Sequence, residues 1–187
     1  FGLKAAAKEV LTELFSEEKS HTSHQIGPCV VKNEQLFVAV GYGNDKNQSQ
    51  NLNSTLGSIL RMDVNFKPID SNPFYTNNGV DSAIDYIWSY GIRNIFGMKF
   101  VGDRLFITEN GGSIDRFNEI NKGENYLYDG SDWSIAARAD YVFSPSVGLV
   151  HLDYIDEPSS FMPENHMNKF VIVASGPPGV AGVGKKG

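Results

Sequence analysis

The sequence predicts an all-β fold, and three observations carry that prediction. Glycine occurs 19 times and aromatic residues make up 12% of the chain. Such a turn-rich, aromatic composition suits strands joined by tight turns. Short apolar runs recur between clusters of Gly, Asn, Asp and Ser, the pattern of hairpins separated by loops. Two of these hairpins also share a shape. Each has an apolar strand and a polar turn, followed by Gln35-Leu36-Phe37-Val38-Ala39-Val40 in one case and Arg104-Leu105-Phe106-Ile107-Thr108-Glu109 in the other. Sandwiches, barrels and propellers all use short strands of this kind, and a weak repeat is what propeller blades leave in a sequence.

The elements follow in order. Residues 3–15 have helical propensity and spacing. Residues 28–31 and 35–40 form the first expected hairpin, around Lys32-Asn33-Glu34. Residues 41–53 read as a loop and 56–64 as an alternating strand. A second loop covers 65–82, with Asn72-Pro73 and Asn78-Gly79 as turn signals, and a mixed apolar stretch follows at 85–90. Residues 97–101 and 104–109 form the second hairpin, with Gly102-Asp103 as its turn. Residues 114–120 read as a strand, 126–144 as an irregular aromatic segment, and 147–154 and 169–174 as the last two strands.

Composition bounds the function. The chain has 187 residues, 41% of them hydrophobic, enough to bury a core. A net charge of −6 with only 20% charged residues argues against nucleic acid or anionic lipid as partner. No run of ~18 apolar residues suggests a membrane span. The single cysteine, Cys29, excludes an internal disulfide framework; in Pro28-Cys29-Val30-Val31 it reads as a small buried hydrophobe, with a reactive thiol as the alternative. Trp88 and Trp133 read as packing residues, Asp115 and Glu119 as a solvated face, and His151 and His166 as structural.

Three stretches are more informative. The first runs from Gln50 to Asp63 and contains Leu56-Gly57-Ser58-Ile59-Leu60-Arg61. The second is Tyr90-Gly91-Ile92-Arg93-Asn94-Ile95-Phe96-Gly97. The third is Thr108-Glu109-Asn110-Gly111-Gly112, followed by Asn118 and Lys122-Gly123-Glu124-Asn125-Tyr126. Upstream, His24 stands in a His-x-x-Gly context. In this order, from His24 to Tyr128, the motifs resemble the glucose/sorbosone dehydrogenase family, whose members are six-bladed β-propellers that bind pyrroloquinoline quinone (PQQ) through calcium.

The resemblance implies PQQ- and Ca2+-dependent oxidation of a small-molecule aldose at C1 to the lactone, with hydride transfer to the quinone. His24 then matches the catalytic base, for which an imidazole of near-neutral pKa is suited; read alone, it is a solvated loop histidine. Arg93 matches a catalytic and cofactor-binding cation that stabilises charge on the quinone, with Asn94 as a second donor. Asn110 is expected to contact the cofactor. Gly111 and Gly112 are expected to offer backbone carbonyls to the metal. The resemblance also implies a periplasmic or extracellular setting, and it makes residues 9–15 a strand, which we prefer to the helix that propensity suggests.

Four departures from the family pattern stand out. Arg-Asn-Pro is Arg93-Asn94-Ile95 here. The acid that often precedes the histidine is Ser23. Glu-Ile-Asn is Arg116-Phe117-Asn118. The Asn-Tyr-Gly-Trp ending is Asn125-Tyr126-Leu127-Tyr128. At ~40–50 residues per blade, the chain supplies three to four blades of a single propeller domain, truncated at both ends. A C-terminal remainder or a partner chain is expected to complete the ring. Two other readings stay open: an extracellular propeller that binds protein or glycan without a cofactor, and a structural or assembly subunit.

Overall fold

A computed structural model describes residue 15, residues 21–157 and residues 164–176. The choice between helix and strand for the first 15 residues lies outside the described residues, apart from Phe15. Among the described residues, ten strands form three antiparallel sheets. The first contains β1 (Ile26–Lys32), β2 (Gln35–Val40), β3 (Ser58–Asp63) and β4 (Ile87–Tyr90), in that spatial order. The second contains β5 (Ile95–Val101), β6 (Arg104–Asn110), β7 (Asp115–Ile120) and β8 (Tyr141–Phe143), again in sequence order. The third is the hairpin β9 (Leu149–Ile155) and β10 (Lys169–Ala174). β1 packs against β5, and β5 against β9. The first strands of successive sheets therefore lie side by side, as the inner strands of propeller blades do. The described residues make two complete four-stranded blades and the inner hairpin of a third.

Alternation along the strands explains why both faces of the first blade are apolar. In β2, Phe37 and Ala39 join Ile59, Ile95, Met98, Leu105 and Ile107 in the core between the first two blades. Their neighbours Leu36, Val38 and Val40 face the other way, onto Leu56, Leu60, Met62 and Tyr86. Successive side chains of a strand point to opposite faces, so a blade buried on both sides reads as a continuous apolar run. Phe15 adds to the outer layer through an edge-to-face contact with Tyr86 at 5.0 Å. Between the second blade and the third hairpin, Phe170 packs on Phe106 at 4.7 Å and on Phe117 at 4.9 Å. Gly97 allows the inner strands to approach closely, because a Cβ there would stand 2.7 Å from Leu152 Cβ and 2.8 Å from its backbone nitrogen.

The expected hairpins and strands form within a residue or two of their predicted limits. The irregular segment holds more order than expected: a short helix α2 (Asp132–Ala136) and β8, the fourth strand of its blade. The stretch at 85–90 splits into a single helical turn α1 (Ala83–Tyr86) and β4. Two packing expectations are corrected. Cys29 is exposed, since β1 borders only β2 in its sheet and Val30, not Cys29, packs on the core. Trp133 is 85% exposed, because the five-residue helix that carries it turns Ser134 and Ile135 inward. Trp88 does pack as expected, edge-on to Phe37 and beneath the Arg61 guanidinium.

Candidate active site

The antiparallel registers place the candidate residues at one end of the sheets. β1, β3, β5 and β7 begin where β2, β4 and β6 end. His24 precedes β1, Tyr42 follows β2, Arg93 and Asn94 precede β5, Asn110 is the last residue of β6, and Gly111 and Gly112 follow it. All six residues predicted from sequence therefore share one face. A further segment reaches the same face from the opposite end. After β7, residues 123–128 run parallel to β4, with the N–H groups of Gly123, Tyr126 and Tyr128 donating to the carbonyls of Trp88, Tyr90 and Gly91. This delivers Tyr128 to the site. Gln50 holds it there: its amide donates to the Tyr128 carbonyl at 3.1 Å and pairs with the Asn125 side chain.

Tyr42 is the shared surface of the cluster. The His24 imidazole lies 5.0 Å from its ring, the Arg93 guanidinium 5.5 Å over it, and the Tyr128 ring edge-on at 5.3 Å. His24 adopts φ 57°, a left-handed conformation uncommon for residues other than glycine and one that concentrates at functional sites. The Gly43 N–H, donating to the His24 carbonyl at 2.9 Å, holds it. Burial, and next the nearby positive charge of Arg93, lower the His24 pKa below 6.5, while Asn44 acts in the opposite sense. The imidazole is therefore neutral at pH 7 and able to accept a proton.

Arg93 is held from several sides. Its Nη1 donates to the Asn110 carbonyl at 2.7 Å, and its backbone N–H donates to Glu109 Oε1. The Asn110 N–H in turn donates to the Asn94 carbonyl at 3.0 Å. Asn94 is buried, and its side chain lies away from solvent. Two polar atoms, His24 Nδ1 and Asn110 Oδ1, are buried with no hydrogen-bond partner. In most folded proteins such atoms are satisfied. Near the Arg93 guanidinium, they leave two polar atoms able to bond a polar ligand.

Sequence reasoning missed the groups that shape this end of the molecule. Asp115 is not a solvated residue; it is fully buried. Its carboxylate accepts from Gly111 N–H at 3.1 Å, the Ser146 hydroxyl at 2.8 Å, and the Val147 and Gly148 N–H groups at 2.8 Å each. It thus ties the 110–114 loop to the start of the third blade. Asp132, on α2, accepts from Ser113 N–H at 3.0 Å and pins the far side of that loop. Glu109 and Arg116 form an ion pair at 2.7 Å with no solvent exposure. The Arg116 guanidinium also donates to the carbonyls of Tyr126 at 2.8 Å, Ile135 at 3.2 Å and Gly91 at 3.3 Å. Glu119, by contrast, pairs with Arg104 near the surface. Charge spacing in the third motif was the available signal for these residues, but alternation alone does not tell a buried acid from an exposed one.

The sheets pack side by side as the blades of a β-propeller, with the candidate residues at their strand ends, and comparison with known proteins agrees with that fold. The sequence pattern of the Glucose / Sorbosone dehydrogenase family matches residues 3–140, and the chain belongs to that family. It is 34% identical over 103 residues to aldose sugar dehydrogenase YliI of Escherichia coli (strain K12), a match covering 54% of this chain and 27% of that protein. The crystal structure of the soluble aldose sugar dehydrogenase from Escherichia coli in its apo form is similar, with a TM-score of 0.73 and 25% identity. That match covers 84% of this chain and 50% of the other. The PQQ-bound form of aldose sugar dehydrogenase from Streptomyces coelicolor is similar with a TM-score of 0.61 and 26% identity, over 73% of this chain and 41% of that one. The chain therefore spans no more than half the length of these relatives. No helix among the described residues is long and apolar enough to cross a membrane.

Proposed function

We propose that this chain is part of a PQQ-dependent sugar dehydrogenase that oxidises an aldose at C1 to the lactone. The observation that carries the reading is the grouping of His24 and Arg93 on Tyr42, next to two buried polar atoms that lack partners. A flat, anionic quinone with oxygen and nitrogen atoms at its edge fits that donor set.

The residues divide the work as follows. The neutral His24 imidazole takes the proton from the sugar's C1 hydroxyl. Arg93 binds and orients the cofactor and stabilises negative charge, at a position fixed by Tyr42 and the Asn110 carbonyl. Asn110, through its buried side-chain oxygen or the amide nitrogen beside it, and Asn94 add polar contacts. When bound, PQQ supplies the hydride acceptor and calcium polarises it. Among the described residues no group of three His, Cys, Asp or Glu could hold a metal, so calcium would rest on backbone carbonyls, with Gly111 and Gly112 as donors. Asp115 and Asp132 fix the loop that presents them. The rest of the propeller, from further chain or from a partner, would supply the remaining cofactor contacts, in a periplasmic or extracellular setting.

The test is a titration of the full-length protein with PQQ, with and without calcium, followed by absorbance. Saturable binding that weakens at least tenfold in Arg93→Met supports the reading. No binding at micromolar PQQ with excess calcium would leave the propeller as a recognition or scaffold domain.

A further inference from the structure

One departure from the family pattern lies between the loops that build the site. Arg116 stands where the pattern has glutamate, directly opposite Glu109 across the β6–β7 pair. Facing positions put both side chains on one face of the sheet, where both are fully buried. The guanidinium spans four segments of chain. Its Nε donates to Glu109 Oε2 at 2.7 Å, and its Nη2 to the Gly91 carbonyl at 3.3 Å. Its Nη1 donates to the carbonyls of Tyr126 at 2.8 Å, Ile135 at 3.2 Å and Ser134 at 3.5 Å. We infer that Arg116 is a positioning residue of the cofactor site: through Glu109 and the Gly91 carbonyl it fixes the Arg93 turn against the Asn110–Gly112 loop. The inference rests on the cofactor-binding role given above to Arg93.

The backbone bonds of residues 91–93 show how this works. Four of their six polar groups are held by the first blade and its loops. The Gly91 and Ile92 N–H groups donate to the Ser49 and Gly57 carbonyls, and the Ile92 and Arg93 carbonyls accept from the Ser49 hydroxyl and the Tyr42 N–H. The remaining two depend on Arg116. It donates to the Gly91 carbonyl, and it orients Glu109, whose Oε1 accepts from the Arg93 N–H. Glu109 is followed directly by Asn110, whose carbonyl receives the Arg93 guanidinium at 2.7 Å. Arg116 thus sets the separation that this bond spans. The Gly91 carbonyl also accepts from the Tyr128 N–H at 2.9 Å, so the same arginine braces the segment that carries Tyr128. A planar fork of five donors serves a carboxylate and several carbonyls at once, which the point charge of a lysine does not. Stability alone does not require it. Replacing a buried ion pair with apolar side chains of similar volume is often neutral or stabilising. Apolar side chains carry no hydrogen-bond direction, however, and leave the turn free to shift.

The pair Glu109→Met with Arg116→Met in the full-length protein separates positioning from stability. Its urea midpoint should stay near wild type, while the PQQ dissociation constant, measured with excess calcium, rises about tenfold or more, the loss expected when one hydrogen-bonded charged group is misplaced. The unliganded protein gives a second readout, hydrogen exchange at the Asn110 and Tyr128 amides. These donate to the Asn94 and Gly91 carbonyls and bond neither Glu109 nor Arg116. Both should exchange roughly tenfold faster in the methionine pair, while Phe37 and Ala39 in β2 keep their wild-type rates, the mark of a local opening. If the pair does not fold, the same two readouts are taken on Arg116→Lys, which keeps a cation beside Glu109 without the fork. Unchanged PQQ affinity, unchanged exchange at Asn110 and Tyr128, or an acceleration shared equally by β2 overturns the inference and leaves Arg116 as a structural ion-pair partner. A wild-type protein that binds no PQQ overturns the proposed function instead, and the exchange rates then decide the role of Arg116 alone.

Discussion

Replacing Glu109 with glutamine should destabilise the protein by about 3–5 kcal/mol, the range for breaking a buried ion pair by removing one partner. The structure shows why the change is severe although nearly isosteric. Glu109 accepts from Arg116 Nε through one oxygen and from the Arg93 N–H through the other. Glutamine offers only one acceptor, so its NH2 group must face one of these two donors. Arg116, which has no solvent exposure, then keeps its charge with neutral carbonyls, those of Tyr126, Ser134, Ile135 and Gly91, as its acceptors. At roughly 2–4 °C per kcal/mol for a domain of this size, the melting temperature should fall by about 6–20 °C. Urea denaturation of the full-length protein, with the midpoint and slope fitted together, measures it. The paired change Glu109→Met with Arg116→Met should recover most of the loss, because no buried charge remains. A Glu109→Gln variant within 1 kcal/mol of wild type would refute the reasoning, and so would a double variant no better than the single one.

Three further outcomes follow from the same geometry. At Gly91, φ is +78° and a Cβ would stand 2.2 Å from Asn125 Oδ1 and 2.5 Å from Leu127 N; Gly91→Ala should cost about 3 kcal/mol or more by the same denaturation assay. Leu127 sits at φ 67°, where the family pattern has glycine, so Leu127→Gly should be neutral or stabilising by up to about 1 kcal/mol, as relief of left-handed strain outweighs glycine's entropy. Because burial and Arg93 lower the His24 pKa, the base stays active as pH falls past 6.5. The acid limb of the kcat/KM profile should therefore lie below 6.5, and removing the Arg93 charge in Arg93→Met should move it upward.

Much of this architecture was legible in the sequence because local chemistry and global fold agree. Gln35 to Val40 reads as a strand, and it is one whose two faces fill two different cores. Gly102-Asp103 reads as a turn and joins β5 to β6. The candidate residues fell at one face because each lies at or just beyond a strand end, and antiparallel pairing sends those ends together. Other features depend on tertiary contacts that no local pattern reports. Asp115 looks solvated until Ser146, Val147 and Gly148 arrive from 31 to 33 residues away to bond it. Cys29 looks buried until β1 proves to have a sheet partner on one side only. Tyr128 enters the site because residues 123–128 climb along β4, a route set by backbone bonds to Trp88, Tyr90 and Gly91 and not by any periodicity.

The most direct test of the central claim is sugar-driven reduction of bound PQQ. The full-length protein, loaded with PQQ and calcium and mixed with glucose and other aldoses, should show the quinone absorbance change at a rate that saturates with sugar, and His24→Ala should bind PQQ yet abolish the change. A loaded wild-type protein whose absorbance stays constant with every aldose, or a His24→Ala variant as fast as wild type, would contradict the account.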